Sequence, residues 1–364
     1  MVSLNINKHN PFRASKSLNN FARSAMPGMG GMNVKKMTVS VALTAGLVAF
    51  TSPALAERTL RLSLQVPTTH PVGQNIEFFK EKIEDISGGE IELQIYDSAQ
   101  LFKGSQIPQA VSSGAIDMGL VALDEFAGTD PIAGLFSVAF MFPSYEVLAR
   151  AADPSSPVRQ ALDEMILETG ARVMWWQDYG PVQLLSKDRP IVSPEDMKDQ
   201  KVRVIGKPSG DFVEAVGAVP VKISGSEQFM AYQRGTVDVG MTGTTAIKSR
   251  KLNEVMDHVT ITNHAQIEFL IVLNDEVWQS MSEQEREWMT EAARAAEFKM
   301  REETKEENLE AQEFIAEETD MEVTTLTPEQ IDVWQKAAAP AVEAYIEAAG
   351  EEGRKLVEAV RAMY

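Results

Sequence analysis

One local pattern occurs twice in this chain, and it constrains the fold more than any bulk property. Ser105-x4-Ala110-x3-Gly114-Ala115-Ile116-Asp117-Met118-Gly119 is matched at identical spacing by Ser226-x4-Ala231-x3-Gly235-Thr236-Val237-Asp238-Val239-Gly240. A Ser where an N-cap belongs, a Gly where a helix must stop and an Ile/Val-Asp step into an apolar run read as helix, turn and buried strand. Any two helix-to-strand junctions share some of this grammar, but six matched positions favour a structural duplication. The surrounding residues extend the match. In the first copy a strand is expected over 60–66, a helix over 73–86 stopped by Gly88-Gly89, a strand over 91–96, a helix from Ser105 and a strand over 115–121. In the second, strands are expected over 201–205 and 219–223, with helices over 210–216 and from Ser226. Strands alternating with helices give an α/β fold. Two such lobes leave a cleft between them, where small ligands bind.

The C-terminal third breaks the pattern. Residues 282–320 contain neither Gly nor Pro and are rich in Glu, Ala and Arg. As one helix they would reach about 55 Å at 1.5 Å per residue, enough to cross both lobes. Two helices with a break near 303 fit the sequence equally well, and further helices are expected over 328–348 and 351–363.

At 364 residues, 44% hydrophobic and 24% charged, the chain is long enough for two domains with real cores. It has no cysteine, so burial rather than disulfides carries stability, and thiol nucleophiles and cysteine-bound zinc are excluded. The net charge is −19, and residues 1–56 hold six cations and no acid, so the remainder carries −25. So acidic a body repels nucleic acid and anionic lipid.

The basic segment is a leader. Lys35-Lys36 precede the apolar run 37–50, and Ala54-Leu55-Ala56 forms an A-x-A site, which together make a secretory signal peptide cleaved after Ala56. The run is shorter than the ~20 residues needed to span a bilayer. Residues 1–31 form a doubtful extension, since Met32 would open a compact leader. The expected mature protein is exported to the periplasm with no stable membrane insertion.

Marks of catalysis are missing. Beyond the leader only His70, His258 and His264 remain, with no HExxH pair, nucleophile elbow, P-loop or G-x-G-x-x-G after a strand. No cofactor, metal site or catalytic residue is expected. One basic residue stands out instead. Arg203 lies within Lys201-Val-Arg-Val-Ile205, where alternation puts Val202 and Val204 on one face and the arginine on the other. Its planar fork suits a carboxylate, although an arginine on a solvated edge strand, or paired with a structural Asp, has the same pattern. Trp176 (adjacent to Trp175), Tyr179 and Phe229 are candidate apolar walls. Adjacent tryptophans on a strand face opposite ways, so at most one lines the pocket. His70 follows Thr68-Thr69 at the exit of the first strand, facing a ligand or capping a loop. Gln65, Asp124, Gln177 and Asp178 are further candidate ligand-binding residues.

The ordered motifs resemble a known family. Pro67-x-x-His70-Pro-x-Gly73, Ser87-Gly-Gly-Glu-Ile-Glu-Leu-x-Ile-Tyr96, Gln100-Leu-Phe-Lys-Gly104 and Ser113-Gly-Ala-Ile-Asp-Met-Gly119 come first. Pro190-Ile-x-x-Pro-Glu-Asp-Met-Lys198, Lys201-Val-Arg-Val, Ser226-Glu227, Gln233-x-Gly-x-Val-Asp238 and Val272-Leu-Asn274 follow. This series is similar to the DctP-like solute-binding proteins of TRAP transporters. The resemblance implies a two-lobed, type II-like periplasmic-binding-protein fold with a long C-terminal helix spanning both lobes. It implies lobe I at 57–179 plus about 268–308, and lobe II at 180–267 plus about 309–364. It also implies capture of an organic acid, delivery to a permease of one small and one large membrane subunit, and a carboxylate-binding role for Arg203. Two departures bear on the ligand. Where members of the family carry Gly-Phe-Arg, this chain has Gly180-Pro181-Val182, and Thr242 takes the place of a ligand-touching asparagine. With one arginine in the cleft, a ligand with a single carboxylate or sulfonate and a less polar body is favoured. A binding protein for another importer or a sensor, and a periplasmic enzyme, are the rival readings.

Overall fold

The computed structural model describes residues 58–364; the expected leader, its cleavage point and the 1–31 extension lie outside the described residues. Two mixed sheets carry the fold. The first contains β1 (Arg58–Ser63), β2 (Ile91–Tyr96), β3 (Met118–Ala122), β4 (Ala171–Pro181) and β10 (Gln266–Asn274), in the order β2-β1-β3-β10-β4. The second contains β5 (Gln183–Ser186), β6 (Lys201–Val204), β7 (Val219–Lys222), β8 (Val239–Thr242), β9 (His258–Ile261) and β11 (Glu322–Thr325), in the order β11-β9-β5-β8-β6-β7.

The repeated sequence becomes a repeated topology. β2-β1-β3 and β7-β6-β8 are both parallel triplets, and each meets an antiparallel strand next, β10 or β5. Gly114 (φ 71°) and Gly235 (φ 64°) end the paired helices Ile107–Ser112 and Gln228–Gln233 in the left-handed region that favours glycine. The matched aspartates share a task as well. Asp117 accepts the backbone N–H of Arg61 at 2.9 Å, and Asp238 that of Lys201 at 2.8 Å, so each ties its turn to the first strand of its own triplet. The two serines differ from expectation. Ser105 and Ser226 lie inside 3-10 turns, Gly104–Gln106 and Gly225–Glu227, and the N-cap positions fall on Lys103 and Ser224. Both preceding glycines lie against one side chain. A Cβ on Gly104 would sit 2.6 Å from Gln65 Nε2, and one on Gly225 2.6 Å from Gln65 Oε1.

Four segments among the described residues join the lobes: β4 running into β5, β9 into β10, the last helix and the helix Glu283–Glu318. That helix is unbroken over 36 residues, about 54 Å. Met289, Ala292, Ala296 and Met300 are buried near its start, and Ala311 and Ile315 near its end. The charged stretch around 303 stays helical because Thr304 and Asn308 are buried with satisfied side chains. Asn308 Nδ2 donates to the carbonyl of Tyr179 at 3.1 Å, and its Oδ1 accepts from Thr244 at 2.9 Å. The last helix, Pro328–Arg361, is interrupted at Gly350 (φ 64°, ψ −147°), which divides it near the expected point. Its destination differs from the lobe boundary drawn above. Trp334 packs on Phe212 of the second lobe, but Tyr345, Ile346, Leu356, Val357 and Val360 bury against Ile132, Leu162 and Ile166 of the first. The terminal apolar stripe thus returns to lobe I instead of staying with lobe II. No helix among the described residues is long and apolar enough to cross a membrane.

Candidate ligand-binding site

β1 and β3 point their C-terminal ends at those of β6 and β8, and a small cavity lies between. The first lobe contributes Gln65, Ala122, Glu125 and Tyr179, with Ile267 and Phe269 from β10. The second contributes Arg203, Ile205, Gly225, Gln228, Thr242 and Arg250. Its volume of about 20 Å³ is room for one water, so an organic molecule enters only when the lobes part. Contacts across the seam hold them together. Lys103 pairs with Glu227 at 2.7 Å, Lys222 pairs with Glu125 at 2.8 Å, and Pro208 lies against the backbone of Gly134. A larger hollow of about 560 Å³ opens beside Pro108, Asp130 and Glu168, but no basic side chain lines it.

Arg203 is 3% exposed. Its Nε donates to the carbonyl of Ile223 at 2.9 Å and its Nη1 to that of Met241 at 2.6 Å. Two backbone anchors fix the guanidinium plane, and no carboxylate pairs with it among the described residues. The chain sets this up by alternation in β6, where Val202 and Val204 enter the core and Arg203 faces the cavity. Thr242 meets the Tyr179 hydroxyl at 3.2 Å on the cavity wall.

Arg250 is the residue that sequence reasoning missed, and it overturns the premise of one arginine in the cleft. It follows the short helix Thr244–Ser249 and lines the same cavity as Arg203. Its Nε is buried with no hydrogen-bond partner. Burial, together with the charge of Arg203, lowers its pKa from the ordinary arginine value, only partly offset by Tyr179 and Tyr232. In sequence it sits in Lys248-Ser-Arg-Lys251, which reads as a solvated basic turn and gives no signal.

The remaining candidates separate. Gln65 lines the cavity. Asp124 lies beside it, 5% exposed, with Oδ2 accepting from Ser137 at 3.2 Å. Burial and neighbouring Glu125 push its pKa up to about 7, against Ser137, Lys222 and Arg203. His70 caps the helix Pro71–Ile86 by accepting the N–H of Val72 at 3.0 Å, and stacks on Tyr179 at 5.4 Å. Burial, then Arg250, drives its pKa down to about 3, so the ring is neutral. The other four, like Asp124 and His70, lie outside the cavity lining. Trp176 packs in the first-lobe core with its indole N–H on Asp163 at 2.8 Å, and Trp175 takes the opposite face against Phe79. Gln177 accepts from Trp175 at 2.6 Å and Asn75 at 2.8 Å. Asp178 accepts from Tyr145 beneath the long helix. Phe229 packs on the core, and its neighbour Gln228 lines the cavity instead. One residue of register in that helix decides which side chain faces in.

Comparison with known proteins agrees with this architecture. The family model described as bacterial extracellular solute-binding protein, family 7 (DctP), matches residues 62–348. The C4-dicarboxylate-binding periplasmic protein DctP of Rhodobacter capsulatus is 26% identical over 326 residues, covering 88% of this chain and 97% of that protein. The ectoine-binding periplasmic protein TeaA of Halomonas elongata is 26% identical over 289 residues, covering 78% and 83%. Among crystal structures, a TRAP periplasmic solute-binding protein from Sulfurospirillum deleyianum with bound succinate superposes with a TM-score of 0.79 at 25% identity, over 85% of this chain and 100% of that one. Two duplicated lobes, a long helix across both and a match over most of the described residues place this chain in the family of extracellular solute-binding proteins that serve TRAP transporters, a family of binding proteins and not of enzymes.

Proposed function

We propose that the chain captures a small organic acid with one carboxylate between its lobes, outside the cytoplasmic membrane, and delivers it to a permease of one small and one large membrane subunit. The observation that carries this reading is Arg203: a guanidinium 3% exposed, held by two carbonyls and lacking any acidic partner among the described residues. A buried cation without a counter-ion is costly, and an anionic ligand relieves the cost. A bidentate carboxylate fits the part of the fork left free by those anchors. Relatives named for C4-dicarboxylate and ectoine, and a neighbour holding succinate, support small polar solutes as the class. A single carboxylate is favoured because Glu125 stands on the cavity wall with Asp124 behind it, where a second carboxylate would meet like charge.

Replacing Arg203 by Ala should leave the fold intact and weaken binding of the acid at least about a hundredfold, the cost of leaving a buried charge unpaired. Calorimetry on the best ligand from a thermal-shift screen of organic acids measures it. Unchanged affinity would remove Arg203 as the receptor. Succinate binding tighter than every monocarboxylate in the screen would replace the single-carboxylate reading with a dicarboxylate one.

A further inference from the structure

Buried hydrogen-bond donors are rarely left without an acceptor, since each orphan forfeits its hydration. Arg250 breaks that rule inside the cavity. Among the described residues its Nε–H has no partner, and no carboxylate is among the groups acting on its charge. Arg203 has already used two of its donors on backbone carbonyls, whereas the Arg250 guanidinium makes no hydrogen bond or ion pair among the described residues. Room for this side chain has been made. A Cβ on Gly225 would lie 2.9 and 3.0 Å from its terminal nitrogens, so any other residue there displaces the guanidinium. Charge at the site points the same way. Arg203, Arg250 and Lys222 face Asp124 and Glu125. Above the Asp124 titration near pH 7, with both acids ionised, the surplus is one positive charge, which a single carboxylate cancels. Whatever then meets Arg250 need only be an oxygen acceptor.

Resting on the organic-acid reading, we propose that Arg250 is a second ligand receptor, so the acid held at Arg203 carries a further acceptor oxygen within reach of the Arg250 N–H groups. A neutral carbonyl or hydroxyl oxygen and the oxygen of a second carboxylate share this chemistry. Acids with a plain hydrocarbon body lack it and leave Arg250 as unsatisfied in the complex as before.

The test uses the full mature chain as wild type, Arg250→Met, Arg250→Lys and Arg203→Ala. Ligands come in matched sets: propionate, lactate and pyruvate, then butyrate, 2-oxobutyrate and succinate. Without ligand, Arg250→Met should melt no lower than wild type, because it removes a cation whose buried Nε–H has no acceptor among the described residues. For oxygen-bearing acids Arg250→Met should lose about tenfold or more in affinity, with partial recovery in Arg250→Lys. Affinity for propionate or butyrate should change less than about threefold. Lactate or pyruvate responding while succinate does not identifies a neutral oxygen; succinate responding most identifies a second carboxylate. A lower melting temperature for Arg250→Met, with ligand affinities unchanged, makes Arg250 a structural residue and overturns the proposal. Unaltered binding in Arg203→Ala, or no acid bound by wild type, defeats the organic-acid reading instead, and the ligand-free melting comparison still decides whether Arg250 is a structural residue.

Discussion

Asp124 keeps a buried carboxyl beside Ser137 and within the fields of Arg203 and Lys222. Its pKa near 7, against an ordinary 3.8, reflects burial first and Glu125 second. Between those values the folded protein holds a proton that the unfolded chain has lost, so this group's contribution to stability declines as pH rises from about 4 to 7. Asp124→Asn should therefore flatten that part of the stability curve and gain relative to wild type above pH 7; parallel curves in urea melts would exclude the effect. Binding follows the same titration. Ionised Asp124 competes with the ligand for the field of Arg203, so affinity for an organic acid should fall from pH 6 to pH 8 in wild type and stay level in Asp124→Asn, as read by calorimetry. Single residues were unevenly legible. The place of Arg203 on the cavity wall was readable because strand alternation forces a charged side chain away from its two valines. Arg250 did not, because a basic residue after a short helix is ordinarily solvated, and only the tertiary closure of Gln65 and Gly225 around it reveals otherwise.

The elements that join the lobes carry a second buried charge group. Asp178 on β4 is the register partner of Glu268 on β10, beside a register shift at Ile267/Glu268. Arg301 of the long helix approaches Glu268 at 3.8 Å and Glu297 at 3.4 Å, and Glu297 also pairs with Arg159. Burial raises the pKa of Asp178 and lifts Glu268 to about 8, with Arg301 opposing both. Removing that cation in Arg301→Met should cost about 3 kcal/mol at pH 8.5 and less at pH 5, where a proton neutralises Glu268. Urea unfolding at the two pH values measures the difference; a cost independent of pH would mean lost packing rather than lost charge. Element types were readable from local rules: the duplicated junctions kept their glycine stops, and a stretch without Gly or Pro stayed one helix. Cap positions were not, because Gly104 and Gly225 lie against a residue distant in sequence. The final helix returns to lobe I for a similar reason, since an amphipathic stripe does not say which apolar surface will receive it.

Across the whole molecule, binding affinity includes the free energy of closing the lobes, so residues that never touch ligand can set it. The two ion pairs across the seam differ in how much each contributes. Lys103 and Glu227 are 50% and 45% exposed, and such a pair is screened and contributes little. Glu125, by contrast, is 5% exposed while pairing with Lys222, so closure buries its carboxylate against that single ammonium. Lys222→Met leaves this acid uncompensated only in the closed form, which shifts the population toward open. The expected result is a ligand-free protein with a larger radius of gyration by X-ray scattering and an affinity about tenfold weaker. At saturating ligand the closed dimensions should match wild type, and Lys103→Ala should behave like wild type throughout. Equal affinities for the two lysine variants would show that closure is governed by the apolar seam at Gly134 and Pro208, not by the buried acid.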